Sequence, residues 1–141
     1  MKNGRPEKII FRLAISGYFI FAMLFLSYFI NYGHNFPEQA SIYLSWLGTQ
    51  SMSQFEILAE WIGTISLGLS AIAAVGLFLL YQWARPTFAI SIVLLFISGL
   101  PAKYPLLMTA EQNFFDSVAS LFAGLIIALA YWSPIKDNLK K

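Results

Sequence analysis

Three carboxylates carry the first chemical signal in the sequence. Glu56 and Glu60 stand four residues apart, which puts both on one face of a helix, and Asp116 opens a later apolar run at a similar depth. All three fall near expected helix N-termini, where the backbone dipole favours negative charge. His34 and Lys103 lie in connections that would face the same layer. Together, His34, Glu56, Glu60, Lys103 and Asp116 would line a shallow outward-facing polar pocket able to grip a cation or a basic partner. The competing reading makes them helix-end charges in a headgroup region. A transition-metal site is not expected, because such sites use more nitrogen or sulfur ligands than one histidine and no cysteine can supply.

The rest of the chain offers little further chemistry. It has no Gly-rich phosphate loop, no HExxH helix, no G-x-S-x-G elbow and no glycosylation sequon. The lack of cysteine removes disulfides, thiolate metal centres and a thiol nucleophile. His34 has no evident partner for activating a nucleophile. An enzyme is therefore not expected, and neither is a cofactor.

The elements that must position these residues are set by composition. Of 141 residues, 58% are hydrophobic and only 11% charged, against about 25% charged in soluble domains. Mean hydropathy is +0.66. These values exclude a soluble enzyme, a disordered regulator and a nucleic-acid binder, and point to an integral membrane protein in contact with the lipid bilayer. Apolar runs at about 9–30, 57–81, 87–100 and 114–132 predict an all-α fold. Four transmembrane helices would form one antiparallel bundle and a single domain covering residues 1–141. The first run exceeds a signal-peptide core and ends without a small-x-small site, so it reads as a retained span. The third is interrupted by Pro101 and Pro105, so it is either short or kinked at Pro101, and a kinked or frayed outer end is preferred. Between the first two spans, residues 37–48 open with Pro37 and Glu38 and close on Gly48. They read as a short interfacial helix anchored by Tyr43 and Trp46, or as a loop over the bundle mouth.

Charge placement predicts orientation. Lys2, Arg5, Lys8, Arg12, Arg85, Lys136, Lys140 and Lys141 fall on one side, and Lys103 alone falls on the other. Basic residues collect on the cytoplasmic side, so both termini are expected there. Trp61 and Trp83 bracket the second span, 22 residues apart, or roughly 33 Å at 1.5 Å per residue, close to the hydrocarbon thickness. No ionisable side chain lies near the middle of any span, which argues against ion-coupled transport.

Small residues then mark packing faces. Asp116, Ser120, Gly124 and Ala128 recur every four residues on the last span, and Ser66, Ser70 and Ala74 on the second. Such ridges let membrane helices approach closely, since lipid supplies no hydrophobic drive between them. Either these two spans pack against each other within one bundle, or one ridge faces a membrane-protein partner or another copy.

The turn Gln82-Trp83-Ala84-Arg85-Pro86 and the tail Ala130-Tyr131-Trp132-Ser133-Pro134-Ile135-Lys136 resemble those of small four-span bacterial membrane proteins of uncharacterised function. In those proteins a Trp-Ala-Arg turn and an aromatic-Ser-Pro-x-Lys tail recur. The resemblance covers the second half of the chain and departs from the pattern at Asp137. It implies a bacterial cytoplasmic membrane and a four-span layout, and no functional residue. Size and topology are also similar to DoxX-like proteins. The function expected is non-enzymatic: an accessory, regulatory or immunity-type subunit, or a self-assembling component, working through helix contacts. The alternatives are an oligomeric channel with Thr64, Ser66 and Ser70 lining its pore, and a binder of a lipid or small hydrophobic molecule.

Overall fold

A computed structural model describes residues 5–30, 38–100, 108–135 and 139, and the described residues are almost wholly helical. Five helices follow one another: α1 (Arg5–Ile30), α2 (Glu38–Gly48), α3 (Gln54–Phe78), α4 (Ala84–Ser98) and α5 (Ala110–Trp132). Three are long and apolar enough to cross a bilayer: Pro6–Tyr28 within α1, then α3 and α5, with mean hydropathies of 2.2, 1.8 and 1.9. The chain is a multi-pass membrane protein. Helix α4 is apolar but has only 15 residues, about 22 Å against a hydrocarbon core of about 30 Å.

Helix ends follow local chemistry more than the limits of the apolar runs. Ser53 caps α3: its hydroxyl accepts from Glu56 N–H at 3.2 Å, and the Glu56 carboxylate accepts from Ser53 N–H at 2.8 Å. Thr109 and Gln112 repeat this capping box at α5. That box starts α5 at Ala110, four residues before the expected 114, because a capping box needs polar residues and so lies outside the apolar run. Asp116 consequently sits in the second turn of α5 and is not a first-turn acid. Helix α4 stops at Ser98 with Gly99 as its cap, so no helix runs on through Leu100. Pro101 and Pro105, and with them the expected kink, lie outside the described residues. Helix α2 matches the expected short helix closely.

Helices α1, α3, α4 and α5 form a ring in that order, with α3 against α4 and α1 against α5 as the two broad interfaces. Narrower contacts, α1 with α3 and α4 with α5, close the ring. Helices α3 and α5 stand diagonally across it, so the expected packing of the second span on the last is replaced by two other pairings. The reason is steric. At Gly76 of α3 a Cβ would lie 2.7 Å from Ala84 Cβ, and at Gly17 of α1 one would lie 2.6 Å from the Phe122 ring of α5. These glycines set the close approaches.

The core gathers at one end of the bundle. Phe11, Ala14, Ile15 and Tyr18 of α1 meet Ala73, Ala74 and Leu77 of α3, Ala84 and Phe88 of α4, and Ala123, Ile126 and Ala130 of α5. The described cations Lys8, Arg12 and Arg85 belong to this end, called here the basic end. The far end holds Glu56 and Gln112.

Candidate functional site

The two small-residue ridges have opposite fates. On α3, Ser66, Ser70 and Ala74 are buried. Ser70 donates to the Leu67 carbonyl at 2.8 Å, and its oxygen lies 3.1 Å from the Tyr18 hydroxyl of α1. On α5 the inward stripe is Gln112, Ala119, Ala123, Ile126 and Ala130. The expected ridge runs beside it: Asp116, Ser120 and Gly124 are exposed, Ala128 is half-buried, and a Cβ on Gly124 would meet nothing within 4 Å. The α5 ridge therefore faces away from the bundle.

Among the described residues, Glu56, Glu60 and Asp116 do not converge. Glu56 serves the cap of α3, while Glu60 and Asp116 are exposed on helices that face each other only across the diagonal. His34 and Lys103 lie outside the described residues. Among the described residues, no three His, Asp or Glu side chains gather closely enough to hold a metal ion. Thr64 is exposed and donates to the Glu60 carbonyl at 2.9 Å, whereas Ser66 and Ser70 are buried within the bundle. The three hydroxyls share no outward-facing surface.

Two polar ties escape a reading of spacing alone. Gln112, fully buried, caps α5 through its Oε1 and donates from Nε2 to the Tyr28 carbonyl of α1 at 3.3 Å. It thereby satisfies a carbonyl in the last turn of α1 that has no partner within its own helix. Between α1 and α5, Phe21, Tyr28, Phe114, Phe115 and Phe122 form an aromatic seam, with ring centroids 5.3 to 6.4 Å apart. The second tie joins the turn after α3 to the end of α5. Arg85 lies 4.7 Å over the Tyr131 ring and donates from Nη1 to the Ala130 carbonyl at 3.5 Å. Its Nε is buried without a hydrogen-bond partner among the described residues, and the negative face of the ring supplies part of what is missing. Ile135, fully buried, plugs the core beneath. The turn and the tail thus form one structural unit at the basic end. No protein-family model, curated protein or solved structure matches the chain.

Proposed function

We propose that this chain is a non-enzymatic membrane subunit that works through helix contacts within the bilayer, using the outer face of α5. It would serve as an accessory, regulatory or immunity-type component, or assemble with itself. One observation carries the reading: Asp116, Ser120 and Gly124 line up on an exposed face, with open space above Gly124. A glycine gains nothing by facing lipid, but it lets a second helix backbone come close. The channel alternative draws less support, since Ser66 and Ser70 spend their burial inside the bundle.

The lack of native cysteine gives a direct test. Ser120→Cys introduces a single thiol, and oxidation in native membranes is expected to yield a discrete crosslinked species. Ile72→Cys, on the exposed face of α3, is expected to give none. Adding Gly124→Leu to Ser120→Cys should abolish the crosslink while leaving thermal stability within about 0.5 kcal/mol, as for exposed sites generally. A strictly monomeric Ser120→Cys protein, or a crosslink that survives Gly124→Leu, would sink the idea.

The same reading includes a bacterial cytoplasmic membrane, four crossings and both termini in the cytoplasm. Support comes from chain direction. Helix α3 ends and α5 ends at the basic end, while α5 begins beside the last turn of α1. Helix α4 supports a return crossing, short though it is, since Ala84 lies against Gly76 near the end of α3 and Ser98 against Gly63 further back along it. Fluorescent-protein fusions at either terminus should report a cytoplasmic position, and replacing Lys2, Arg5, Lys8 and Arg12 with glutamine should reduce the N-terminal signal. Uniform fluorescence after that change would assign orientation to the later spans.

A further inference from the structure

We infer that the crease between α1 and α3 is a binding site for an anionic glycerophospholipid. Helices α1 and α3 touch only narrowly and leave an open groove. Ser16, Phe19 and Ile20 form one wall and Val75, Phe78 and Leu79 the other of an open, almost wholly apolar hollow of about 400 Å³. Beyond it the exposed surface of α1 alone continues apolar past Met23 and Leu24. Tyr18 and Ser70 bond at 3.1 Å between the same two helices.

The occupant is identified by what stands at the mouth. Arg12 lies one turn below Ser16, and its guanidinium sits 5.2 Å over the Phe78 ring. Phe78 is itself a wall residue, so the ring that lines the groove also fixes the cation at its entrance. Lys8 follows one turn further out on the same face of α1. A guanidinium matches phosphate oxygens with two parallel hydrogen bonds, and a lysine adds a second positive charge beside it. From Arg12 to Met23 the helix rises about 17 Å at 1.5 Å per residue, close to the depth of one leaflet of a hydrocarbon core about 30 Å thick. Cationic mouth, apolar bed and leaflet-deep length together fit one molecule: a lipid with its phosphate at Arg12 and Lys8 and an acyl chain laid along Ile20 and Val75. A partner helix would fit the apolar bed but would satisfy the two cations only by bringing a carboxylate or its own C-terminus to the mouth, whereas the lipid phosphate comes with the acyl chain.

Native mass spectrometry of the full chain in mild detergent tests this. Phosphatidylglycerol and phosphatidylcholine with identical acyl chains are the two probes. Wild type is expected to retain phosphatidylglycerol about 25-fold better than phosphatidylcholine, since each of the two basic residues contributes about a fivefold preference, and the double variant Lys8→Gln/Arg12→Gln should bring the two to parity. Val75→Trp, a change at an exposed wall position that leaves the core intact, should cut retention of both lipids alike. A thermal melt checks that each variant is folded. Equal retention of the two lipids by wild type overturns the proposal. So does phosphatidylglycerol retention that survives either the double variant or Val75→Trp, and so does a groove occupied by a second copy, seen as a dimer lost on Val75→Trp.

Discussion

Replacing Gly76 by leucine is expected to be among the most damaging single changes in the bundle, costing about 3 kcal/mol of stability, the upper part of the usual range for overpacking. The position combines two constraints. A Cβ there would lie 2.7 Å from Ala84 Cβ and 3.1 and 3.2 Å from the Trp83 ring. Ala84 is fully buried, and its Cβ moves only if α4 moves. The Gly76 carbonyl also accepts the Tyr81 N–H at 2.8 Å, while Leu77 accepts from Leu80 N–H at 2.9 Å. These two bonds form the closing motif of α3, which ordinarily places glycine at the left-handed position. Here Leu80 occupies it, with φ of 65°. A leucine in that conformation costs roughly 1–2 kcal/mol, offset by burial of its side chain, which is only 6% exposed. The turn between α3 and α4 is thus already strained and has little tolerance for a further push. Gly68→Leu is the control, since a Cβ at Gly68 meets nothing within 4 Å. Thermal melting followed by helical circular dichroism should separate the two widely; equal melting points would mean that α4 can slide away from α3 at little cost.

The apolar runs made α1, α3 and α5 legible in the sequence, and Pro37 with Gly48 did the same for α2. Helix limits were less so, because they depend on caps. Thr109 and Gln112 draw α5 back into polar residues that hydropathy would leave in a loop. The ridges show a different difficulty. Period-four spacing found both Ser66-Ser70-Ala74 and Ser120-Gly124-Ala128, yet could not tell an inward face from an outward one. In a soluble protein the polar side of a helix marks the outside; in lipid both faces are apolar and the mark is lost. On α5 a second series of small residues, Ala119, Ala123 and Ala130, runs beside Ser120-Gly124-Ala128 and is the one that packs. The contact of Arg85 with Tyr131 joins positions 46 residues apart. No local pattern announces it, although the turn and the tail were each distinctive as sequence. For the outer carboxylates the difficulty is related: a similar expected depth does not by itself bring Glu60 and Asp116 together when their helices stand on a diagonal.

Phe88→Ala should cost nearly as much as the change at Gly76, and for the opposite reason. Phe88 is 1% exposed at the centre of the ring, with its aromatic face edge-on to Tyr18 at 5.4 Å. Its backbone carbonyl accepts from the buried Ser91 hydroxyl at 2.8 Å. In a water-soluble core, Phe→Ala costs about 3–5 kcal/mol, part transfer from water and part cavity. Within a bilayer the unfolded reference already keeps the ring in an apolar medium, so the transfer part falls away and the cavity part remains. The expected loss is accordingly at the low end, about 3 kcal/mol. Tyr18→Phe separates the two kinds of contact at this junction. It keeps the ring against Phe88 and removes only the bond to Ser70, and interhelical hydrogen bonds in membranes average about 0.6 kcal/mol. Unfolding in mixed micelles should therefore rank Phe88→Ala well below Tyr18→Phe in stability, with exposed Ile90→Ala near wild type. If Tyr18→Phe proved the more damaging change, the hydroxyl pair would be the main tie between α1 and its neighbours, and shape-matched packing at the basic end would be secondary.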